Sequence, residues 1–374
     1  MAAEKLDDLL REAIACDVAP GCVALVWRDG MLRHAGAYGV LARHGIAPDR
    51  RQPVSIGSRY DLASLTKVLC TTTLVAQAVG LGELSVDDRL PSSLAIGEYR
   101  PTLRDLLEHA SGLAAHREFF HEPWSLGIGA RDGLIAAVRE VPLAAAPRTR
   151  AIYSDLGFIL LGAWLESLGG ARIDELFVTR VARPLELERE LGFPGLQPLP
   201  AGEVAATEVY DAALHGGSRQ HWYAIRQQAG QPTACGLVHD DNALVMGGVA
   251  GHAGLFGTAM GVLGIARAWL ERRLPLLDAI QSAAVVAEFT RASTVTGSTR
   301  RMGFDGRSPD GSGATGLALS PSAYGHNGFT GVSVWIDPDA ESIHVLLTNR
   351  VHPARSNDRI GTLRREFHKL SAAL

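Results

Sequence analysis

The chain has 374 residues and a nearly balanced charge, with 36 Lys plus Arg against 40 Asp plus Glu and a sequence pI near 6.4. This balance argues against a nucleic-acid surface, because phosphate binding needs clustered basic side chains on one face. Hydrophobic residues make up 47% of the chain and charged residues 20%, as is typical of a globular protein, and the length predicts two subdomains or one large α/β unit.

The N-terminal run MAAEKLDDLLREAIACDVAPG predicts an amphipathic surface helix. It lacks the basic segment and apolar run of a secretion signal, and no stretch approaches the ~20 apolar residues of a membrane span. We therefore expect a cytoplasmic enzyme without a membrane partner. Cys16, Cys22, Cys70 and Cys235 have no metal-type spacing, and we expect them to be reduced and packed inside the fold.

Strands are predicted at both ends of the chain. GCVALVWRDG and MLRHAGAYGV are β-rich runs separated by Asp29-Gly30, a strong hairpin signal. Near the other end, GHNGFTGVSVWI, the turn DPDAE and SIHVLLTNRV predict a second hairpin, followed by the helix NDRIGTLRREFHKLSAAL.

Helical patterns fill the middle of the chain. They include SLTKVLCTTTLVAQAVGLG, which should end at Gly80 or Gly82, then TLRDLLEHASGL and LGFILLGAWLESLGG. The fold class predicted is α+β, an α/β sandwich with one antiparallel sheet built from both chain ends and flanked by helices. We expect residues 1–75 and 235–374 to form this sandwich and residues 76–234 to form an all-helical subdomain, with the active site in the cleft between them.

The pair Ser64 and Lys67 is the first candidate for chemistry. The chain has three lysines, Lys5, Lys67 and Lys369, against 33 arginines, so a lysine at position 67 stands out. Residues three apart at the start of a helix share one face, and a buried lysine can lose its proton, whereas arginine stays charged. We expect burial and the helix N-terminus to lower the pKa of Lys67, so that its neutral amine takes the proton of Ser64. The alternative is a surface lysine on an amphipathic helix.

Three short motifs in order resemble the serine β-lactamase and penicillin-binding protein superfamily: SLTK at 64–67, YSD at 153–155 and HNG at 326–328. Flanking runs are similar to the branch that holds class C β-lactamases and family VIII carboxylesterases; they are PGCVALVWRDG, LLEHASGL, YSDLGFILLG, GGVAGHAGLFGTA and GHNGFTGVSVWIDP. The resemblance spans nearly the whole chain and implies a β-lactamase/transpeptidase-like fold.

The resemblance also implies roles for individual residues. Ser64 would be the nucleophile, Lys67 its activator and Tyr153 a second proton-transfer group; a core tyrosine at a helix start is the alternative for Tyr153. The backbone N–H groups of Ser64 and Phe329 would form the oxyanion hole. The residues implied to bind substrate are Asp155, His326, Asn327, Gly328 and Phe329, and Gly328 would let a substrate carbonyl approach the strand.

Two positions depart from the family pattern. Asp155 stands where the family usually has an amide, so an acceptor replaces a donor. His326 stands where penicillin-recognising members usually have lysine, and a histidine is only partly charged near neutral pH. The cation for a β-lactam carboxylate is thereby weakened, which favours esters as substrates.

Other charged clusters have simpler interpretations. His239, Asp240, Asp241 and His252 fit no standard zinc spacing, and we expect them in a wall loop of the active site rather than in a metal site. Arg300 and Arg301, and the basic tail RIGTLRREFHKL, are interpreted as solvated faces. We expect no metal and no cofactor.

The sequence therefore predicts a serine hydrolase that works through an acyl-enzyme on small-molecule carboxylic esters or β-lactam-like amides. A D-amino-acid peptidase or muropeptide-processing penicillin-binding protein is an alternative with the same chemistry. A non-catalytic penicillin or muropeptide sensor, acylated once without turnover, is an alternative of another class.

Overall fold

A computed structural model describes residues 2–44, 51–125, 129–195, 199, 202–210, 222 and 236–374. Nine strands lie in the described residues: β1 (Gly21–Arg28), β2 (Met31–Gly39), β3 (Tyr60–Asp61), β4 (Leu191–Gly192), β5 (Phe256–Gly257), β6 (Asp305–Gly306), β7 (Tyr324–Asn327), β8 (Ser333–Asp337) and β9 (Ser342–Thr348). Ten α-helices lie there as well: α1 (Ala2–Ala15), α2 (Thr73–Gly80), α3 (Leu103–Leu107), α4 (Ala130–Arg139), α5 (Asp155–Gly169), α6 (Ile173–Phe177), α7 (Asp241–Val245), α8 (Ala259–Leu270), α9 (Ala279–Phe289) and α10 (Ile360–Ser371).

The main sheet has six antiparallel strands in the order β2-β1-β9-β8-β7-β6. The hairpin predicted at Asp29-Gly30 is confirmed, and both residues have positive φ, 50° and 78°, as a tight two-residue turn requires. Strand β1 then pairs with β9, so that Cys22 lies opposite Thr348. The prediction of one antiparallel sheet built from both chain ends is confirmed.

Both faces of the sheet are covered, which explains why β1 is apolar up to Trp27. Its side chains alternate between two cores: Val23 and Leu25 face the larger core, whereas Ala24 and Val26 face a smaller one. Helices α1 and α10 cover the smaller core, and α8 packs against the opposite face of β1, β8 and β9. This arrangement is the predicted α/β sandwich.

Helices within the range predicted to be helical include α3, α4, α5 and α6. One short strand, β4, lies within that range and joins β3 and β5 in a second, three-stranded sheet of order β3-β5-β4. Among the described residues no single helix is long and apolar enough to cross a membrane; α5 and the helical segment Ile173–Ala182 meet the length and composition test only together, across a 73° bend.

The cysteine prediction is confirmed in part. Cys22 and Cys70 are buried free thiols, as expected, but Cys16 is exposed, so its packing prediction is wrong. It lies in the turn that follows α1, where the chain has already left the core. Cys235 lies outside the described residues.

Candidate active site

A cavity of about 530 Å³ collects the residues that the three motifs singled out. Its wall includes the following predicted site residues: Ser64, Tyr153, Asp155, His326, Asn327, Gly328 and Phe329. They come from both predicted ranges, since Ser64 and β7 lie within residues 1–75 and 235–374, and Tyr153 and Asp155 lie within residues 76–234. The division into two subdomains stays a prediction. Lys67 lies behind Ser64 and is fully buried.

Ser64 is presented by a constrained turn. Ala63, directly before it, has a φ of 46°, a conformation that costs a residue with a side chain about 1–3 kcal/mol. The carboxylate of Asp61 accepts the N–H of Ala63 at 2.8 Å, which holds the turn in place. The N–H of Lys67 then donates to the carbonyl of Ser64 at 3.1 Å, and the chain continues as a π-helical turn, Lys67–Thr72, before α2 begins.

Lys67 Nζ lies among three acceptors. It donates to Ser64 Oγ at 3.0 Å and to the carbonyl of His252 at 3.0 Å, and it pairs with Asp155 Oδ1 at 2.8 Å. Burial alone would lower the pKa of Lys67, but the charge of Asp155, followed by Tyr153, outweighs it and raises this pKa above its ordinary value. The prediction of a lowered Lys67 pKa is therefore wrong for the free enzyme, because Asp155 supplies a partner that the local sequence did not reveal.

Tyr153 and Asp155 are fixed by the N-terminus of α5. Ser154 caps this helix, its Oγ accepting from the N–H of Gly157 at 3.3 Å, and its own N–H donates to Nδ1 of His109 at 2.9 Å. The Tyr153 ring lies 5.0 Å from Lys67 Nζ, and its hydroxyl is within hydrogen-bonding reach of Lys67 and Ser64.

The protonation of Tyr153 follows from its surroundings. Burial raises the pKa of Tyr153, the Lys67 cation lowers it and Asp155 raises it again, with a net increase. Tyr153 is therefore a neutral phenol in the free enzyme. His109 packs against the ring at 4.7 Å between centroids and supports it from behind.

His116 is a site residue that sequence reasoning missed. Its Nδ1 lies 3.2 Å from the second carboxylate oxygen of Asp155, and its side chain is about one-third exposed at the cavity wall. Asp155 thus connects buried Lys67 with a histidine that meets solvent. No spacing rule links residues 116 and 155, so only the fold could show this pair.

His326 is neutral rather than partly charged, which corrects the sequence interpretation. Burial, followed by the nearby charges of Arg300 and Lys67, lowers the pKa of His326 well below its ordinary value. Its Nδ1 lies 2.8 Å from the carbonyl oxygen of Asn327, which can only accept, so Nδ1 carries the proton. Among the described residues, its buried Nε2 has no partner and remains an acceptor.

The prediction that Arg300 and Arg301 form a solvated face is wrong. Arg300 lines the cavity with its guanidinium carbon 5.1 Å from the centre of the Tyr153 ring, and its ion pair with Asp305 is long, at 3.8 Å. Arg301 is largely buried and donates to the carbonyls of Pro321 and Ser322. The cavity therefore contains a permanent cation, Arg300, although position 326 carries a histidine instead of the lysine usual in penicillin-recognising members.

The segment after β7 packs tightly against the turn that carries Ser64. A Cβ on Gly328 would lie 2.4 Å from Val332 Cγ2 and 2.9 Å from the carbonyl oxygen of Leu62, so glycine is required for packing and not only for substrate approach. Arg364, in the tail expected to be solvated, instead donates to the carbonyls of Gly328 and Val332, at 2.8 Å each.

The two backbone groups expected to form an oxyanion hole are available. Within the described part of the chain, the N–H groups of Ser64 and Phe329 have no hydrogen-bond acceptor. Two such donors near a serine hydroxyl can stabilise a negative oxygen that forms there.

His239, Asp240 and Asp241 line the cavity, as expected of a wall loop, whereas His252, which was grouped with them in the prediction, is not part of the cavity wall. Asp240 caps α7 and accepts from Nε2 of His252 at 3.0 Å. Asp61 connects this loop to the turn that carries Ser64, because its second oxygen accepts the N–H of His239 at 2.6 Å.

Comparisons with known proteins place the chain among serine hydrolases of the β-lactamase/transpeptidase-like fold. It belongs to the Beta-lactamase family, whose model matches residues 6–369. An N-acetylmuramyl-L-alanine amidase from Bacillus subtilis is 30% identical over 93% of this chain and 81% of its own. A putative D-alanyl-D-alanine carboxypeptidase from Escherichia coli is 29% identical over 89% of this chain and 79% of its own.

A solved structure supports the fold. EstCE1, described as a hydrolase with promiscuous acyltransferase activity, aligns over 98% of both chains with a TM-score of 0.73 and 20% identity. At this identity the likeness concerns the fold alone.

Proposed function

We propose that Ser64 forms an acyl-enzyme with small carboxylic esters or β-lactam-like amides and that Lys67 and Tyr153 carry the protons. The observation that carries this proposal is the 3.0 Å separation of Lys67 Nζ from Ser64 Oγ at the wall of the cavity. A serine hydroxyl is a weak nucleophile, and an adjacent base within hydrogen-bonding reach is what activates it.

The proton on Lys67 has to move before this amine can act as a base. Asp155 Oδ1, 2.8 Å away, is the group that can receive it. A bound substrate displaces water from the site. Because the ion pair of Lys67 and Asp155 is then less well solvated, transfer of the proton is favoured, giving a neutral Lys67 amine beside a protonated Asp155 carboxyl. Asp155 therefore acts in this proposal as a positioning and proton-accepting partner of Lys67.

Acylation then proceeds through a tetrahedral intermediate, which forms and then collapses. Ser64 Oγ bonds to the substrate carbonyl carbon as its proton passes to the Lys67 and Tyr153 pair, and the carbonyl oxygen becomes negative between the N–H groups of Ser64 and Phe329. The bond from carbon to the leaving group breaks, and Tyr153 returns the proton to that group. Each oxyanion donor would contribute about 2.7–4 kcal/mol to the transition state.

The test is acylation followed by intact mass. The protein is mixed with p-nitrophenyl acetate, nitrocefin or a D-Ala-D-Ala peptide, and a covalent adduct is expected in the unmodified chain and absent in Ser64→Ala. Ser92→Ala, at an exposed position away from the cavity, is the matched control and should acylate normally. The proposal is wrong if no activated acyl donor gives an adduct, or if Ser64→Ala still forms it.

One observation favours a second candidate, a peptidase for substrates that carry a free carboxylate. Arg300 places a permanent cation beside Tyr153, and its pairing with Asp305 at 3.8 Å leaves it able to bind a second anion. The names of the relatives from Escherichia coli and Bacillus subtilis, a carboxypeptidase and an amidase, support cell-wall peptides as this substrate class.

A matched pair of substrates separates the two candidates. A D-Ala-D-Ala peptide and its C-terminal methyl ester share the scissile bond and differ only in the carboxylate. Arg300→Gln should reduce the preference for the free acid about tenfold or more, whereas Arg291→Gln, an exposed arginine in an ion pair, should leave it unchanged. An unaltered preference in Arg300→Gln would count against the peptidase candidate.

A further inference from the structure

A second histidine–carboxylate pair borders the cavity and has no part in the acylation chemistry. His239 Nε2 lies 3.0 Å from Oε2 of Glu208, whose side chain is fully buried. Arg355 donates two hydrogen bonds to the same carboxylate, from Nε to Oε1 at 2.7 Å and from Nη2 to Oε2 at 2.6 Å. Burial would raise the pKa of Glu208, but His239, followed by Arg355, reverses this and holds the pKa well below its ordinary range.

The charge on Glu208 determines which nitrogen of His239 carries a proton. An ionised carboxylate only accepts, so Nε2 must donate to it. In the neutral ring the other nitrogen, Nδ1, then has a free lone pair. A buried carboxylate that fixes the tautomer in this way also holds the ring in one orientation.

The lone pair of Nδ1 opens onto the cavity. Within the described part of the chain, Nδ1 of His239 has no hydrogen-bond partner. It is also not among the fully buried unpartnered atoms, which do include Nε2 of His326. His239 is itself 4% exposed and lines the cavity, so the small exposed part of its ring faces that space. His326, by contrast, keeps its unpartnered nitrogen away from solvent.

His239 also contacts residues next to Ser64 and the proposed oxyanion donors. One carboxylate, that of Asp61, accepts the N–H of Ala63 at 2.8 Å and the N–H of His239 at 2.6 Å. The His239 ring stacks on Phe329 at 5.7 Å between centroids, and the backbone N–H of Phe329 is one of the two proposed oxyanion donors. The histidine therefore lines the same cavity as Ser64 and contacts the residue that would supply one oxyanion donor.

We propose that His239 is the general base of deacylation and that Glu208 is its positioning residue; this inference rests on the proposed acyl-enzyme at Ser64. A cavity water gives one proton to Nδ1 as its oxygen bonds to the acyl carbonyl carbon. The bond between that carbon and Ser64 Oγ then breaks, and the imidazolium returns the proton to Ser64 Oγ. The products are a carboxylic acid and the free serine, so one water is consumed in each cycle. Lys67 and Tyr153 serve acylation, and His239 serves hydrolysis.

The experiment follows the two half-reactions separately with p-nitrophenyl acetate. General bases contribute about 10²–10⁴-fold, so His239→Gln should release about one equivalent of p-nitrophenol in a burst and then turn over at least 100-fold more slowly. Intact mass should show the acetyl-enzyme accumulating. His121→Gln removes another histidine–glutamate pair, one outside the cavity, and should behave like the unmodified protein.

Two further measurements separate a base from a structural role. Imidazole added to His239→Ala should restore deacylation in proportion to its concentration, and Glu208→Asp should slow deacylation more than the burst. Deacylation at the original rate in His239→Gln, or equal slowing of both half-reactions, would overturn the inference. Absence of any Ser64 adduct would instead overturn the proposed function, so the two failures are distinguishable.

Discussion

Asp155 lies closer to Lys67 than Ser64 does, at 2.8 Å against 3.0 Å, and it carries the charge that keeps the lysine protonated. A neutral amide at this position could accept the same hydrogen bond without that charge. In the free enzyme the protonated Lys67 therefore lies next to the hydroxyl of Ser64, and in the proposed mechanism Asp155 determines how readily that proton leaves.

Replacing this carboxylate should move the pH dependence of acylation. In Asp155→Asn the charge that raises the pKa of Lys67 is gone, so a larger fraction of the amine is neutral at a given pH. The same change lowers the pKa of Tyr153, because Asp155 raises it. The acidic limb of kcat/KM for a p-nitrophenyl ester should shift to lower pH, whereas Asp132→Asn, at an exposed position on α4, should not shift it. A limb that stays in place or moves to higher pH contradicts this account.

Lys67→Arg should abolish acylation while keeping the positive charge. A guanidinium stays protonated at any working pH, so it cannot take the proton of Ser64. We expect the burst rate to fall by about 10²–10⁴-fold, as loss of a general base does. Lys369→Arg is the control, because that lysine is 71% exposed. A burst within tenfold of the original in Lys67→Arg would show that position 67 supplies only charge.

Gly328→Ala tests how tightly the segment after β7 packs on the turn that carries Ser64. The new methyl group would meet Val332 Cγ2 at 2.4 Å and the carbonyl oxygen of Leu62 at 2.9 Å. Overpacking of this kind costs about 1–3 kcal/mol of unfolding free energy, measurable by urea denaturation. Gly57→Ala has open space, with its nearest atom at 3.9 Å, and should be close to neutral. Equal stabilities of the two variants would contradict the predicted clash.

Stability should fall sharply in acid. The pKa values of Asp155 and Glu208 are held well below the ordinary carboxyl range, so their contribution to stability is present above about pH 4 and is lost as the pH falls below it. Urea denaturation at pH 7 and pH 3 should show this loss, and Glu208→Gln should be less stable at pH 7 and lose less on acidification. An unchanged pH dependence in Glu208→Gln would show that its ion pair with Arg355 adds no net stability.

Much of the fold could be predicted because its signals are local. Asp29-Gly30 specifies a tight turn, so the β-rich runs on either side of it are expected to pair as a hairpin. Ser64 and Lys67 are three residues apart, so helical geometry alone brings them onto one face. The same reasoning places Tyr153 and Asp155 near one helix start.

Charge states could not be predicted, because they depend on neighbours that are distant in the chain. Lys67 is paired with Asp155, 88 positions away, and this partner reverses the effect of burial on its pKa. Arg300 lies in a segment without clear periodicity, and nothing local shows that it turns toward Tyr153. Glu208 precedes His239 by 31 residues, and only the folded chain brings the carboxylate to the ring.

The pairing of β1 with β9 has a consequence for how the molecule is made. Cys22 finds its partner, Thr348, only after more than three hundred further residues have left the ribosome. Until then the edge of β1 that later pairs with β9 is open, and an open edge is a template for pairing with other chains. A nascent chain of this protein thus has to remain protected through most of its synthesis, and early termination would yield aggregation-prone fragments rather than partly active enzyme.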